Sequence, residues 1–309
     1  MKIASIDIGT NSMRLLIADY DKHILNRKKY INTTRMGQGV NENGFISDEA
    51  IKRNVDSFIG FVNQAKEENA ELIYAIGTSA LRDSKNKEIF INEAKTHTGV
   101  DIEIINGNIE AELGFYGATL GLKDKHRVLI IDIGGGSTEF VIGSIDEGVI
   151  FRESIDIGAV RLTEGFHITD ADTEKNLNKM TKHINKKISH LKDIIERHNI
   201  KTVIGIGGTI TTASSINQNM QVYDTNKIHN SIIKKNDVKY ILESLKLMKT
   251  NERKKVIGLE PSRADIILAG LNIFYNIMNS FNIDKVTVSE YDNLEGLIFY
   301  KLSLLKGKE

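Results

Sequence analysis

The sequence DIGGGSTE, from Asp132 to Glu139, decides the fold of this chain. It lies between the apolar runs VLII (128–131) and FVI (140–142), and each run is typical of a buried β-strand. The stretch is therefore predicted to be a glycine-rich turn that joins two strands. Consecutive glycines let backbone N–H groups approach a ligand closely, and such groups turned the same way form an anion site. The alternative is a tight hairpin whose glycines are purely structural.

The polar residues of this turn favour a phosphate site with a metal ion beside it. Asp132 and Glu139 flank the turn, and their carboxylates are suitable ligands for Mg²⁺ or Mn²⁺. The candidate donors to phosphate oxygens are the backbone amides of Gly134, Gly135 and Gly136 and the hydroxyls of Ser137 and Thr138.

The N-terminal region contains a second copy of this element. Residues 3–17 read IASIDIGTNSMRLLI and residues 128–142 read VLIIDIGGGSTEFVI, so that Asp7 aligns with Asp132. The repeat predicts a duplicated α/β domain with the ligand held between the copies. Asp7 is a further metal candidate, and the candidate phosphate contacts of this copy are Thr10, Asn11, Ser12 and Arg14. Neither copy has the glycine pattern of a P-loop or of a dinucleotide-binding fold.

Length and composition limit the classes of protein. With 309 residues, two domains are expected, at 1–124 and 125–309, with the last helix able to pack back on the first domain. The 41 basic residues balance the 41 acidic ones, so no overall field attracts a nucleic acid polymer or an anionic membrane, and a polyanionic substrate would need a local patch. The absence of cysteine excludes disulfides and thiolate sites and fits a reducing compartment. Without an apolar run long enough for a signal peptide or a membrane span, the chain is expected to be cytoplasmic.

Two further strand ends are typical of anion sites. An apolar strand ends in Gly77, after which Thr78, Ser79 and Arg82 offer two hydroxyls and a guanidinium that can grip phosphate bidentately. The alternative is an ordinary helix cap with Arg82 at the surface. The strand at 203–206 similarly ends in Gly207, Gly208 and Thr209, before a helix from about Thr211.

The sequence also predicts several helices. Ser47 should cap an amphipathic helix over 48–69, and Asn108 should cap a helix that carries Glu110 and Glu112 on opposite faces. A core helix is expected over 263–280. A long helix from about Asp172 to His198 carries many lysines, which are typical of a solvated face, with steering of polyphosphate as the alternative: Lys175, Lys179, Lys182, Lys186, Lys187 and Lys192.

The chain resembles the exopolyphosphatase and guanosine pentaphosphate phosphatase family, within the superfamily of acetate and sugar kinases, heat-shock chaperones and actin. The resemblance rests on seven blocks in the family's order: DIGTNSMRLL (7–16), GTSALRDSKN (77–86), NGNIEAELGFYG (106–117), DIGGGSTEFVIG (132–143), IGAVRLTEGF (157–166), GIGGTITT (205–212) and RADIILAGL (263–271). It implies the family's short form, with two ribonuclease H-like (actin-like ATPase) domains, mixed sheets flanked by helices and an active site in the interdomain cleft. Asn230 and the loop EYDNLEG (290–296) depart from the family pattern, which weakens any ligand role for His229 and for that loop.

The resemblance also implies the chemistry. Glu110 matches the family's proposed general base, and Arg82 would assist it. The resemblance implies a metal-dependent phosphohydrolase that releases terminal phosphate from polyphosphate or from guanosine pentaphosphate. Guanosine pentaphosphate is linked to the stringent response. A homodimer is compatible with the family. Two alternatives stay open: a kinase of the same superfamily that transfers phosphate to a small acceptor, and a non-enzymatic sensor of an alarmone or polyphosphate.

Overall fold

A computed structural model describes residues 1–120, 122, 126–168, 170 and 173–306. The chain forms two compact units. The first unit is Met1–Gly117 with the C-terminal segment that begins at Asp292, and the second unit is Ala118–Tyr291. The predicted boundary between residues 124 and 125 lies outside the described residues.

The described part of the first unit contains a sheet with strand order β3-β2-β1-β4-β5. Its strands are β1 Lys2–Ile8, β2 Met13–Asp21, β3 His23–Asn32, β4 Leu72–Gly77 and β5 Ile102–Ile104. β1 pairs antiparallel with β2 and parallel with β4. From Ile3 onward, every residue of β1 is buried, because helices cover both faces of this central strand.

The helices of the first unit supply the apolar residues that cover this sheet. They are α1 Val40–Asn43, α2 Asp48–Glu67, α3 Ser79–Asp83, α4 Lys87–Thr98, α5 Gly107–Thr119, which crosses the unit boundary, and α14 Asn293–Lys306. The Ser47 side chain accepts a hydrogen bond from the Ala50 amide, which confirms it as the cap of α2. Helix α14 packs Leu294, Ile298 and Leu302 against the sheet.

The second unit repeats this arrangement. The strand order in its described residues is β10-β11-β9-β6-β7-β8. Its strands are β6 Val128–Ile133, β7 Thr138–Ser144, β8 Gly148–Ile155, β9 Thr202–Ile206, β10 Ile232–Lys234 and β11 Lys285–Val288. Apart from the added edge strand β10, the chain order of the strands is the same in both sheets. This confirms the predicted duplication of mixed α/β domains.

The helices of the second unit surround one large core. They are α6 Ala159–Gly165, α7 Thr173–Ile188, α8 Leu191–Arg197, α9 Gly208–Asn217, α10 Thr225–Ile228, α11 Lys235–Lys246, α12 Thr250–Arg253 and α13 Ile267–Ser280. Helix α13 is buried along most of its length and packs against α6, α7, α9 and α11. Among the described residues, no helix is both long enough and apolar enough to span a bilayer.

Two of the helix predictions were wrong in extent. The basic helix predicted over 172–198 is interrupted after Ile188 and resumes at Leu191, and its predicted first residue, Asp172, lies outside the described residues. The break places both Ile188 and Leu191 in the core. The helix predicted over 263–280 begins only at Ile267, because the only proline of the chain, Pro261, starts a short 3₁₀ turn that ends at Arg263.

Candidate active site

The glycine-rich turn of the second unit brings two carboxylates together. Asp132 and Glu139 are directly opposite in the antiparallel pair of β6 and β7, so their side chains project from the same face of the sheet. Both are buried, with 8% and 2% exposure. The Gly134 amide closes the turn on the Ser137 carbonyl at 3.0 Å. A single local hairpin thus places two buried carboxyl side chains on one face of the sheet.

Helix α6 holds this turn from behind. The amides of Ala159 and Val160 donate to the carbonyls of Gly134 and Gly135, each at 2.9 Å, and Arg161 Nε donates to the Gly136 carbonyl at 2.7 Å. Gly158 makes this approach possible, because a Cβ there would lie 2.3 Å from the Gly135 carbonyl oxygen. Since its carbonyls are fixed in this way, the turn has a defined conformation before any ligand binds.

The second of the two hydroxyls that follow the glycines, that of Thr138, is hydrogen-bonded within the fold. Both Ser137 and Thr138 are buried. The Thr138 hydroxyl donates to the carbonyl of Ile157, in the segment that leads into α6. Its proton is therefore used within the fold, and Thr138 cannot donate that proton to a phosphate oxygen at the same time.

The predicted anion site at Gly207 and Gly208 lies beside Asp132. Gly207 has a φ of +86°, and a Cβ there would be 2.4 Å from Asp132 Oδ1. Gly208 is the first residue of α9, and a Cβ on it would be 2.2 Å from the guanidinium of Arg263. Thr209 is buried against Gly270 of α13. Arg263, which opens the block RADIILAGL, was not among the residues predicted for this site.

The corresponding hairpin of the first unit has a different charge pattern. Asp7 is opposite Arg14 in the pair of β1 and β2, and the two side chains form an ion pair. Arg14 also binds Asp292, with Nη1 and Oδ2 2.5 Å apart. Burial raises the pKa of Asp7 despite this guanidinium, and within the described part of the chain its Oδ1 atom has no hydrogen-bond partner. Arg14 thus bridges two carboxylates at the position predicted to contact phosphate.

A neighbouring segment supports the turn of this first hairpin. The Arg35 amide donates to the Asn11 carbonyl at 2.8 Å, and the Gly37 amide donates to the Thr10 carbonyl at 2.9 Å. A Cβ on Gly37 would lie 2.2 Å from the methyl carbon of Thr10. This support was not predicted, because residues 34–37 show neither a strand pattern nor a helix pattern.

Arg82 and Glu110 form the second charged pair of the first unit. Arg82 Nη1 donates to Glu110 Oε2 at 3.1 Å and to the Ile105 carbonyl at 3.2 Å. Arg82 follows β4 and Glu110 follows β5, so neighbouring parallel strands bring the two residues together. Arg82 is partly buried against Glu110, with 22% of its side chain exposed. Thr78 and Ser79 are buried, and within the described residues the Thr78 side chain makes no hydrogen bond as a helix cap.

The helix of Glu110 begins earlier than predicted. Asn106, not Asn108, acts as its cap, because Asn106 Oδ1 accepts a hydrogen bond from the Ile109 amide at 3.0 Å. Glu110 remains in the first turn and is 8% exposed. Glu112 is only half-buried, as expected for a residue about 200° further around the helix.

His229 and the loop from Glu290 contact each other within the second unit. The His229 ring stacks on Tyr291 with centroids 4.2 Å apart, and its Nδ1 accepts from the Glu290 amide at 3.3 Å. Further along this loop, in the first unit, Asp292 and Glu295 are buried and ion-paired with Arg14, Arg27 and Lys29. The loop in which the sequence departs from the family pattern therefore makes contacts that stabilise the fold.

The carboxylates of the second unit fit a magnesium site in which the protein supplies only one or two ligands. Among the described residues, no group of three or more His, Cys, Asp or Glu side chains is arranged to hold a metal ion. Mg²⁺ commonly uses one or two carboxylates and completes its octahedron with water and substrate phosphates. The facing carboxylates of Asp132 and Glu139 meet that requirement, whereas Asp7 is ion-paired with Arg14.

A sequence model described as the Ppx/GppA phosphatase family matches residues 16–305. The chain belongs to this family. The predicted membership, and with it the prediction of an enzyme of this phosphatase class, is thereby confirmed.

Relatives of the chain include proteins of different lengths. The chain is 36% identical over 310 residues to a bifunctional 3-dehydroquinate synthase/phosphatase of Fusobacterium nucleatum, covering 96% of the chain but 46% of that protein. It is 32% identical to exopolyphosphatase 2 of Mycobacterium tuberculosis, covering 96% of the chain and 97% of the relative. With the guanosine-5'-triphosphate,3'-diphosphate pyrophosphatase of Aliivibrio fischeri it shares 27% identity over 99% of the chain and 60% of the relative.

Solved structures agree with this assignment. The Ppx/GppA enzyme of Aquifex aeolicus has 32% sequence identity and a TM-score of 0.80, covering 97% of this chain and 99% of its own. An exopolyphosphatase from Cytophaga hutchinsonii has 29% identity and a TM-score of 0.88, covering 98% of both chains.

Proposed function

We propose that the protein hydrolyses phosphoanhydrides, releasing terminal phosphate from inorganic polyphosphate, from guanosine pentaphosphate, or from both. The observation that carries the proposal is the pair of Arg82 and Glu110, which are 3.1 Å apart and mostly buried at the ends of β4 and β5. Hydrolysis of a phosphate chain needs a carboxylate to orient water and a cation to stabilise charge on the transferred group. The names of the related enzymes support the same two substrates.

Glu110 is assigned the role of orienting the attacking water. Its carboxylate is fixed through Oε2 by Arg82, which itself is anchored on the Ile105 carbonyl. A held carboxylate can keep a water molecule in line with the terminal phosphorus, and the guanidinium can donate to an oxygen of the same phosphoryl group. In this assignment Arg82 both positions the base and stabilises the developing charge.

Binding of the phosphate chain is assigned to residues of the second unit. The Gly134 amide is already bonded to the Ser137 carbonyl, so the amides available for phosphate are those of residues 135–137 and of Gly207 and Gly208 at the α9 terminus, next to the Asp132 carboxylate. Asp132 and Glu139 are the residues that would hold Mg²⁺ or Mn²⁺. When bound there, the ion would neutralise charge on the phosphate oxygens.

Phosphate release from the purified chain tests the proposal. The assay uses polyphosphate, guanosine pentaphosphate and ATP in turn, with and without Mg²⁺. We expect release from at least one of the first two, strict dependence on the metal, and loss of activity in Asp132→Asn, which keeps the shape of the side chain and removes its charge. Asp56→Asn, at an exposed position of α2, is the control and should behave as wild type.

Three outcomes would overturn the assignment. Wild-type turnover by Asp132→Asn would remove Asp132 from the site. ATP consumption that depends strictly on an added acceptor would indicate a kinase. Tight binding of either phosphate chain without turnover under any metal would indicate a sensor.

A further inference from the structure

Helix α7 presents a row of lysines on its outer face. Lys175, Lys179, Lys182 and Lys186 follow one another at intervals of four, three and four residues, so they share one side of the helix. All four are exposed, while Leu177, Met180, Ile184 and Ile188 face the core. We call these four lysines the α7 lysine row. At 1.5 Å per residue the row is about 16 Å long.

The row carries four positive charges that are not paired with the acidic residues of the described ranges. Glu174 is the only acidic residue of α7, and it pairs with Lys246 of α11. Among the residues that the structure describes, no carboxylate lies within 4.0 Å of any of the four ammonium groups. Like charges at this spacing destabilise a helix, so the row weakens α7 unless an anion is present. The chain as a whole has a net charge of zero, which makes the row a local exception.

The positive charges on α7 also affect the pKa of a neighbouring histidine. His183 lies on α7 with its ring packed edge-on against Phe166, with centroids 5.4 Å apart. Its pKa is lowered, first by burial and then by the charges of Lys187 and Lys186. The second of these lysines belongs to the row, and Lys187 extends the positive surface.

The row is linked within the second unit to the glycine-rich turn. Helix α6 contacts the turn with its first residues, and the residues that follow it contact α7 through Phe166 and through the hydrogen bond from Asn176 Nδ2 to the His167 carbonyl. Since α6 has seven residues, it is about 10 Å long. A polyanion held at the turn would have to extend past α6 to contact the row as well.

We propose that the α7 lysine row is a binding surface for the distal part of a long inorganic polyphosphate chain. The inference rests on the proposed function for its choice of ligand and adds a preference for long chains. A flexible linear polyanion gains affinity from each phosphate paired with a cation, through release of its counterions. A row of evenly spaced lysines fits that ligand, because its members offer positive charge along a line and no ring on which a nucleotide base could stack.

Direct binding measurements test this surface apart from catalysis. The fourfold variant Lys175→Gln, Lys179→Gln, Lys182→Gln and Lys186→Gln is compared with wild type for long-chain polyphosphate and for tripolyphosphate, in EDTA so that metal-dependent hydrolysis cannot proceed. We expect the Kd for the long chain to rise at least tenfold and the Kd for tripolyphosphate to stay unchanged. By analogy with single-stranded nucleic acids, the slope of log K against log salt should fall by about 3, or about 0.7 for each lysine lost.

A matched control removes the same charge elsewhere. Lys52, Lys239, Lys254 and Lys255 are exposed and lie outside α7, and their fourfold glutamine variant should bind the long chain almost as wild type does. An equal loss in both variants, or no loss in the α7 variant, would overturn the proposal. So would displacement of polyphosphate by single-stranded RNA at lower concentration, since the surface would then be a nucleic acid site. If polyphosphate binds through the row but no phosphate is released with Mg²⁺, the proposed hydrolysis fails and this inference stands.

Discussion

At the scale of single residues, the two hairpins place opposite charges at one equivalent position. Arg14 is opposite Asp7 in the first copy, whereas Glu139 is opposite Asp132 in the second. Arg14 favours the ionised form of Asp7, although burial still raises the pKa of that carboxyl, whereas two facing acids would favour a bound cation. The two copies of the element therefore differ in charge, and the second copy is the one proposed to hold a metal ion.

The role of Glu110 can be separated from that of its neighbour Glu112. Glu110→Gln keeps a hydrogen-bond acceptor near Arg82 but removes the charge that orients water. We expect kcat to fall on the order of 10²- to 10⁴-fold with KM little changed, because phosphate binding is assigned to other residues. Steady-state kinetics with polyphosphate provide the measurement.

Glu112→Gln is the matched control on the same helix. This half-buried residue points away from Arg82, so its substitution should leave kcat within about twofold of wild type. If the two variants lost activity equally, the water-orienting role would have to be assigned to another carboxylate, such as Glu139 or Glu164.

At the scale of elements, the segment at 34–37 connects α2 to the turn at Thr10 and Asn11. Arg53 of α2 donates from Nε to the Thr34 carbonyl at 2.6 Å, and the segment in turn donates its Arg35 and Gly37 amides to the turn. Because every step is a hydrogen bond to a main-chain carbonyl, the segment fixes the turn's backbone. It thereby positions residues that are candidates for contact with phosphate.

Gly37→Ala tests this support. The new Cβ would meet Thr10 Cγ2 at 2.2 Å, so either Thr10 or the segment must shift. We expect a loss of about 1–3 kcal/mol in the free energy of unfolding, as for other overpacked sites. We also expect kcat/KM for polyphosphate to fall at least tenfold in the fraction that remains folded. Urea denaturation and the phosphate-release assay measure the two effects.

Gly60→Ala provides the comparison. Gly60 lies within α2, and no described heavy atom comes within 4 Å of a Cβ placed there. Alanine in a helix interior should stabilise the protein by about 0.5–1 kcal/mol and leave turnover unchanged. Normal activity of a destabilised Gly37→Ala protein would mean that the segment supports the fold but not the site.

Some of these features follow from local sequence patterns and were predicted. Others depend on contacts that the local sequence does not reveal. The facing of Asp132 and Glu139 follows from a short turn between two strands, which the sequence alone indicates. The cap of α5 was misplaced by two residues because Asn106 and Asn108 are equally good caps, and only the hydrogen bond of Asn106 distinguishes them. The interruption between α7 and α8 carries no proline or glycine, so periodicity alone could not reveal it.

At the scale of the whole molecule, the first unit joins residues from both ends of the chain. Arg14 contacts Asp292, which is 278 positions away, and the Ser5 hydroxyl donates to the Leu294 carbonyl at 2.9 Å. No local signal links a strand near the N-terminus to a helix near residue 300. The predicted role of Arg14 in phosphate binding therefore omitted the buried carboxylate that the fold places beside it.

The ion pairs of Asp292 attach this C-terminal segment to the sheet. The Asp292 carboxylate forms an ion pair with Arg14 and lies 3.8 Å from Lys29 Nζ. It also accepts a hydrogen bond from the Leu294 amide. Although burial acts against ionisation, these partners lower the pKa of Asp292. A lowered pKa means that the folded state binds its proton less readily than the unfolded state does, so the resulting stability is present at neutral pH.

Asp292→Asn should accordingly destabilise the protein in a manner that depends on pH. At pH 7 we expect a loss of about 1.5–3 kcal/mol in the free energy of unfolding, the range for a hydrogen bond to a charged group, since Arg14 keeps Asp7 as a partner. As the pH falls below about 3.9, the ordinary pKa of aspartate, the wild-type protein loses this contribution progressively while the variant has none to lose. Urea denaturation from pH 7 to pH 3 should therefore show the two proteins converging in acid, with Asp56→Asn matching wild type throughout. A gap that stays constant over this range would show that shape, and not charge, accounts for the effect of Asp292.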